Sequence, residues 1–446
     1  MNNRSTRLGE LPIPKLLLEQ AVPASIGILV MSIYGIVDTI FVGRFIGSLG
    51  IGAITVVWPI TLLISSIGMA IGIGGASIIS RALGAEDEDK AQLTFGNQIV
   101  LTTVLAFAAM VVCSFYIEEI LTLYGAKGEI LPYAVEYFKI IIYGIPCLAF
   151  AMMSNNVIRA EGAARIAMFT MITPAVLNII LDPLLIIYFD MGMSGAAWAT
   201  TIGYIGSASF SVWFFLSGRS EMRVNVQNFR LDFPVVKEIF SLGGVTLARQ
   251  GTISVLYIIL NNALYNFGGE IAISVYGIIT RFMMIANFPV LGVTQGFLPI
   301  AGYNYGAGKT ARVREVIRIA VLSGTGLAIV LFAIIMIFTP SLVSIFTTEN
   351  ELLEKATPAM RASFLAMPLI CIQLIGSAYF QAIGKALPAL LLTLSKQGFF
   401  LIPLILILPN YWTGDRIFGV WYAFPIADFL AAVVTFWYLR RELRKL

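Results

Sequence analysis

Twelve apolar runs, each long enough to cross about 30 Å of hydrocarbon, take up most of this chain. They fall near residues 16–43, 50–80, 93–117, 132–158, 166–189, 193–217, 238–266, 271–302, 313–338, 357–381, 386–408 and 417–439. Lipid offers no partner to an unpaired backbone amide, so each run is expected to close its own hydrogen bonds as a helix. Hydrophobic residues make up 58% of the sequence and charged residues 12%, which excludes an ordinary soluble domain. Pro23, Pro59, Pro146, Pro174 and Pro289 fall inside runs. They predict kinked helices whose freed carbonyls are met by neighbouring helices.

The basic residues set an orientation. Of 29 Lys and Arg, 20 lie in or near the two tails and the even-numbered loops, and 6 lie in or near the odd-numbered loops. The positive-inside rule then puts both termini in the cytoplasm. No cleavable signal is expected: Arg4 and Arg7 precede ELPIPKLLLEQ, and no small-residue cleavage site follows. Cys113, Cys147 and Cys371 all sit in apolar runs, so no disulfide framework is expected. Histidine is absent, so proton chemistry would fall to a carboxylate.

The chain repeats itself at an offset of 222 residues. Phe45 pairs with Phe267, Gly47 with Gly269, Gly84-Ala85 with Gly306-Ala307, Pro146 with Pro368, Gly162 with Gly384 and Ala164 with Ala386. Six helices per half give both halves the same orientation, a parallel repeat about an axis along the membrane normal. The expected layout is a tail (1–15), an amino-terminal lobe (16–217), a cytoplasmic linker (218–237), a carboxy-terminal lobe (238–439) and a tail (440–446).

The acids placed well inside the runs are Asp38, Asp182 and Asp428. A carboxylate at that depth is costly, and it usually faces a cavity or a partner. Asn178 and Asp182, four residues apart in TPAVLNIILDP, share one helix face. Structural hydrogen bonding is the competing reading for both aspartates. Asp428 and Lys396 are secondary polar candidates: the structural reading of Asp428 is pairing with a helix-end amide or with Lys396, and for Lys396 substrate contact and structural pairing both stand. Gly306 to Thr310 reads GAGKT, the end of a phosphate-binding loop. However, the full pattern needs Gly where Tyr303 stands, and a spanning run rather than a strand precedes it. It is read as a turn, with no nucleotide bound. No nucleophile, metal or nucleic-acid signature appears, and no enzyme is expected.

YGIVDTIFVGR (34–44), ISRALGA (79–85), VIRAEGA (157–163), LNIILDPLLI (177–186) and QGFLPIAGYNYGA (295–307) together resemble the multidrug and toxic compound extrusion (MATE) family, and within it the bacterial MepA/DinF-like branch. The resemblance covers essentially the whole chain. It implies an all-α integral membrane fold of twelve transmembrane helices, in two six-helix bundles about a central cavity. It also implies an antiporter that exports amphipathic, often cationic compounds in exchange for Na⁺ or H⁺. Carried over by position, the amino-lobe cation site falls on Asp38 of helix 1, Asn178 and Asp182 of helix 5 and Thr200 of helix 6. Either Asn155 or Asn156 of helix 4 would join it. Pro23 matches the proline that bends helix 1, and Tyr34 lies one turn before Asp38. Helices 7 and 10 lack the acids of the NorM-like branch, which argues against a carboxy-lobe cation site.

The resemblance implies no cofactor and no metal beyond a coupling Na⁺. The expected partners are the bilayer and small amphipathic substrates, with the protein acting as a monomer. Two other readings stand beside the antiporter. One is a lipid-linked precursor flippase of the wider superfamily, whose members tend to have extra helices and a more cationic cavity. The other is a Na⁺-coupled solute importer of another fold, which would show broken helices at the midplane.

Overall fold

The computed structural model describes residues 4–347 and 349–445. Residues 1–3 of the expected amino-terminal tail and residue 446 of the carboxy-terminal tail lie outside the described residues. Ten helices of crossing length are separated by turns: α1 (Ile13–Phe45), α2 (Ser48–Gly84), α3 (Glu88–Phe115), α4 (Ile130–Ala160), α5 (Ala164–Tyr188), α6 (Gly192–Leu216), α9 (Thr310–Ser344), α10 (Asn350–Ala382), α11 (Ala386–Tyr411) and α12 (Ile417–Leu443). Between α6 and α9, hydrogen bonding continues over 74 residues, Phe233–Gly306. A helix of that length would measure about 110 Å at 1.5 Å per residue, several bilayer thicknesses. It is broken at Gly269, whose backbone has φ 65 and ψ −161. The two parts, α7 (233–268) and α8 (270–306), complete twelve spans.

The repeat is written into the backbone. Gly47 and Gly269, Gly162 and Gly384, and Gly192 and Gly414 all have left-handed φ, and each pair is 222 residues apart. A fourth pair is Glu86 and Gly308, where a charged side chain in one half matches glycine in the other. Sequence comparison cannot see that pair. These residues lie at the turns between helices. Gly162 N–H donates to Arg159 O and Ala163 N–H to Ile158 O, while Gly384 and Lys385 repeat the pattern on Gln381 and Phe380. Such a C-terminal motif needs left-handed backbone at one position, and glycine adopts it without a Cβ penalty. The same account explains GAGKT: Gly308 turns the chain between the end of α8 and the start of α9. Both fifth helices of the repeat contain a π-helical stretch, Pro183–Tyr188 in α5 and Ser395–Leu401 in α11.

Contacts divide the chain into two units. The first comprises Met1–Leu11, Val22–Leu247 and Gly302–Gly308. In it α4 is central, packing most extensively on α2 and α6. Between helices in lipid there is little hydrophobic drive, so small residues that let backbones approach carry the packing. A Cβ on Gly68 of α2 would lie 2.3 Å from Ala149 O of α4, and one on Gly306 would lie 2.0 Å from Arg81 O. Ile60, Ile64, Phe138, Ile141, Ile142 and Ile145 fill the α2–α4 seam. Pro174 deprives Thr170 O of its helical donor, and the hydroxyl of Ser207 on α6 donates to that carbonyl instead. The second unit comprises Pro12–Ala21, Ala248–Ala301 and Lys309–Leu446. In it α12 packs on α10 and α11, with Val420, Trp421, Phe424 and Ala427 in the core.

The segment between α6 and α7 is strapped down by side chains. Gln92 of α3 donates to Glu221 O and accepts from Arg223 N–H. Asn97 donates to Arg230 O and accepts from Asp232 N–H. Asp232 then caps α7 by accepting from Val235 N–H. Glu161, in the α4–α5 turn, accepts from Glu221 N–H at 2.7 Å and from the Ser220 hydroxyl. Burial pushes the Glu161 carboxyl up to about 8, from an ordinary value of 4.5, against these hydrogen bonds, which pull it down. The folded protein therefore binds the Glu161 proton more tightly than the unfolded chain. Stability should be full below pH 4.5 and fall as pH rises through 8. Glu161→Gln keeps a neutral acceptor and should flatten that fall, on the order of a few kcal/mol. Thermal unfolding in detergent across this pH range checks the slope; an identical slope in Glu161→Gln would assign it to another group.

Candidate cation site

Four helices of the first unit converge on one polar cluster. Helix α1 supplies Tyr34 and Asp38, one turn apart. Helix α5 supplies Asn178 and Asp182, on one face just before the π-helical stretch that begins at Pro183. Such stretches widen a helix and are frequent at functional positions. Helix α6 supplies Thr200 and Tyr204, and α4 supplies Tyr137. Asp38 is 6% exposed, while Asn178 and Asp182 are 0% exposed.

Asp38 lies within interaction range of Asp182 and Asn178. Asn178 Nδ2 donates to the Thr200 hydroxyl at 3.2 Å. The hydroxyls of Tyr34 and Tyr137 meet Thr200, and Tyr204 meets Tyr34. Asp38 Oδ1, Asn178 Oδ1 and both carboxylate oxygens of Asp182 are buried with no hydrogen-bond partner among the described residues.

That arrangement has a chemical consequence. Two carboxylates face one another in a buried site, and three of their four oxygens accept no hydrogen bond among the described residues. Left ionised and alone they would repel, and each would carry a desolvation cost. A proton or a hard cation removes both problems. Carboxylate, amide and hydroxyl oxygens form a donor set that suits Na⁺ rather than a soft metal.

The structure gathers Asp38, Asn178, Asp182, Thr200 and Tyr34 as the sequence reading expects, and adds Tyr137 and Tyr204. Tyr204 was detectable as the residue one turn after Thr200; Tyr137 carried no signal. Asn155 and Asn156 have other partners. Asn155 Nδ2 donates to Ala167 O and to the Thr170 hydroxyl, and Asn156 Nδ2 donates to Met152 O in its own helix. Thr170 precedes Asn178 by eight residues, about 12 Å along α5, so Asn155 belongs to a different level of the bundle. Pro23 is buried, and α1 stays helical through it. In the second unit, Lys396 Nζ lies 2.6 Å from Asp428 Oδ1, so these two secondary candidates form an ion pair.

The MatE family model matches residues 23–184 and again 247–407. The chain belongs to the MatE family. The two matches are offset by within two residues of 222, and each covers the first five helices of one half of the repeat. Members of this family are transporters and not enzymes, and this MatE chain is a multi-pass membrane protein. It is 28% identical over 422 residues to the multidrug export protein MepA of Staphylococcus aureus (strain MSSA476), covering 95% of this chain and 92% of that protein. It is 29% identical over 417 residues to MepA of Staphylococcus saprophyticus, covering 93% and 90%. Its fold matches a crystal structure of a MATE protein in the bent conformation with a TM-score of 0.94 at 25% identity, covering 100% of this chain and 98% of that one. It also matches a multidrug resistance MATE family transporter in an outward-facing conformation, with a TM-score of 0.92 at 25% identity and coverage of 100% and 98%.

Proposed function

We propose that this MatE protein is a secondary active antiporter. It exports amphipathic, often cationic compounds by alternating access, in exchange for Na⁺ or H⁺ taken up at the Asp38–Asp182 cluster. The observation that carries the reading is the pair of buried carboxylates, three of whose four oxygens accept no hydrogen bond among the described residues. A structural hydrogen-bond network would have satisfied those oxygens, whereas a site that loads and unloads a cation leaves them for the ion. The names of the MepA relatives support the substrate class. The lobes 16–217 and 238–439 are its moving parts, joined by 218–237, and the positive-inside count places both termini in the cytoplasm of a bacterial plasma membrane.

Energetics bound the stoichiometry. One charge moved through 100 mV is worth about 2.3 kcal/mol, and a tenfold ion gradient adds about 1.4 kcal/mol. Exchange of one cation for a neutral compound can then sustain a gradient of roughly a few hundredfold. One-for-one exchange with a monovalent cation gains only about tenfold, so steep export of cations requires more than one coupling ion. The test is efflux of a fluorescent amphipathic cation from proteoliposomes with Na⁺ and pH gradients imposed separately. Acceleration by one gradient identifies the ion; indifference to both refutes the antiport reading.

A further inference from the structure

Below the cation cluster, the same unit holds a buried charge with no counter-charge. Arg159, near the end of α4, is 5% exposed. Its Nε donates to Asn155 Oδ1 at 3.0 Å, its Nη2 lies 3.7 Å from Met171 Sδ, and its Nη1 has no partner among the described residues. No carboxylate forms an ion pair with it among the described residues. A guanidinium does not give up its proton, so the site holds a fixed, uncompensated positive charge. Burying such a charge is expensive, and buried charges are ordinarily paired.

Its position relates it to the cluster. Arg159 is tied to Asn155, Asn155 to Thr170, and Thr170 lies on α5 eight residues before Asn178. Thr170, Asn178 and Asp182 follow four-residue steps along one broad face of α5. The Ser207 hydroxyl of α6 also meets Thr170, through its carbonyl, as Thr200 of the same helix meets Asn178. Along α5 the level of Arg159 is therefore about 12 Å from Asn178 and about 18 Å from Asp182, inside one bundle. The ionisable groups of the cluster are Asp38, Asp182, Tyr34, Tyr137 and Tyr204, and the buried Glu161 lies two residues from Arg159 in the α4–α5 turn; the residues touching Arg159 itself, Asn155 and Met171, are uncharged.

We propose that Arg159 sets the cation affinity of the Asp38–Asp182 site, holding it weak enough for the ion to leave. The inference rests on the cluster being the coupling site. A positive charge at about 12–18 Å, at an effective dielectric of about 20, lowers the affinity for a monovalent cation by about five- to tenfold. An antiporter needs that weakening, because a cation held too tightly at two facing carboxylates stops turnover. Arg159 is thus a positioning residue that acts through space and touches neither ion nor substrate.

The experiment is cation binding by the full chain in detergent, read as the shift of thermal unfolding with Na⁺ and, separately, with pH. Arg159→Met should lower the half-saturating Na⁺ concentration about five- to tenfold, or raise the proton midpoint by about 0.7 to 1 pH unit. Arg159→Lys should stay near wild type. Met171→Glu keeps the arginine and gives it a counter-charge. It should fold at least as well as wild type, since it pairs a buried cation, and should shift the midpoint in the same direction as Arg159→Met. A purely structural role for Arg159 would leave the midpoint of Met171→Glu unmoved, and that result overturns the proposal even if Arg159→Met fails to fold. A wild-type protein with no Asp182-dependent cation response would overturn the coupling reading and this one with it. A normal Asp182-dependent response unchanged in both Arg159→Met and Met171→Glu overturns only the role of Arg159.

Discussion

Asp182→Asn is expected to yield a folded protein that no longer exports substrate against a gradient. The side chain keeps its size and loses its charge. Both Asp182 oxygens are buried and unpartnered, with Asp38 as their neighbour. An amide at this position can donate to Asp38, so it satisfies oxygens that the wild type leaves bare, and the melting temperature should rise. Cation binding moves the other way. Removing one unit charge at about 4 Å from a bound ion costs about 4 kcal/mol at an effective dielectric of about 20, close to a thousandfold in affinity. Asp38→Asn should behave alike. The double variant should be little worse than either single one, because one shared site is lost only once. Uphill efflux from proteoliposomes and thermal unfolding, measured on the same preparations, give both readouts. Wild-type uphill export by Asp182→Asn would remove the coupling role from this helix and from the site built around it.

Lys396→Met is expected to produce the largest loss of stability, on the order of 3–5 kcal/mol. Lys396 and Asp428 pair at 2.6 Å, with the carboxylate side chain 7% exposed and the ammonium side chain 25% exposed. Removing the lysine strands a carboxylate that has no route to water. Removing the acid is milder, because the long lysine side chain can carry its charge outward. Asp428→Asn should therefore keep part of its transport. The double variant Lys396→Met/Asp428→Leu should recover most of the stability lost by the single lysine change, since neither charge is left unpaired. Unfolding of the three variants in one double-mutant cycle measures the coupling. Recovered stability with all transport lost would show that the pair handles substrate; transport that returns with stability assigns it to the frame.

Much of the fold was legible because hydropathy is a local property. A run of apolar residues long enough to cross the bilayer must form a helix there whatever its neighbours do, so twelve spans follow from the sequence alone. The 222-residue repeat was legible through Gly47 and Gly269 or Gly162 and Gly384, because a left-handed turn constrains residue type. It was silent at Glu86 and Gly308, where one half meets the same backbone requirement with a glutamate. Asp38 and Asp182 stood out because a carboxylate at that depth in lipid is costly and needs a partner. Gly306 to Thr310 looked like chemistry and proved to be a turn, since glycine serves both purposes.

What a side chain faces was decided only by the tertiary structure. Helical spacing puts Asn178 and Asp182 on one face, but helix rotation and packing in the bundle determine that Asp38 meets that face. The same factors turn Tyr137 toward Thr200 and Asn155 toward Thr170 instead of the cluster. Ser207 became informative only through Pro174, whose missing N–H frees a carbonyl on the adjacent helix. For Lys396 and Asp428 the sequence left mutual pairing as one reading among others, and the packing of α11 on α12 decided it. Arg159 went the opposite way: it read as one more basic residue of an even-numbered loop, and folding buried it without an ion-pair partner among the described residues. Sequence fixes the cost of each polar group at its depth in the membrane, and only packing decides whether a neighbour offsets that cost.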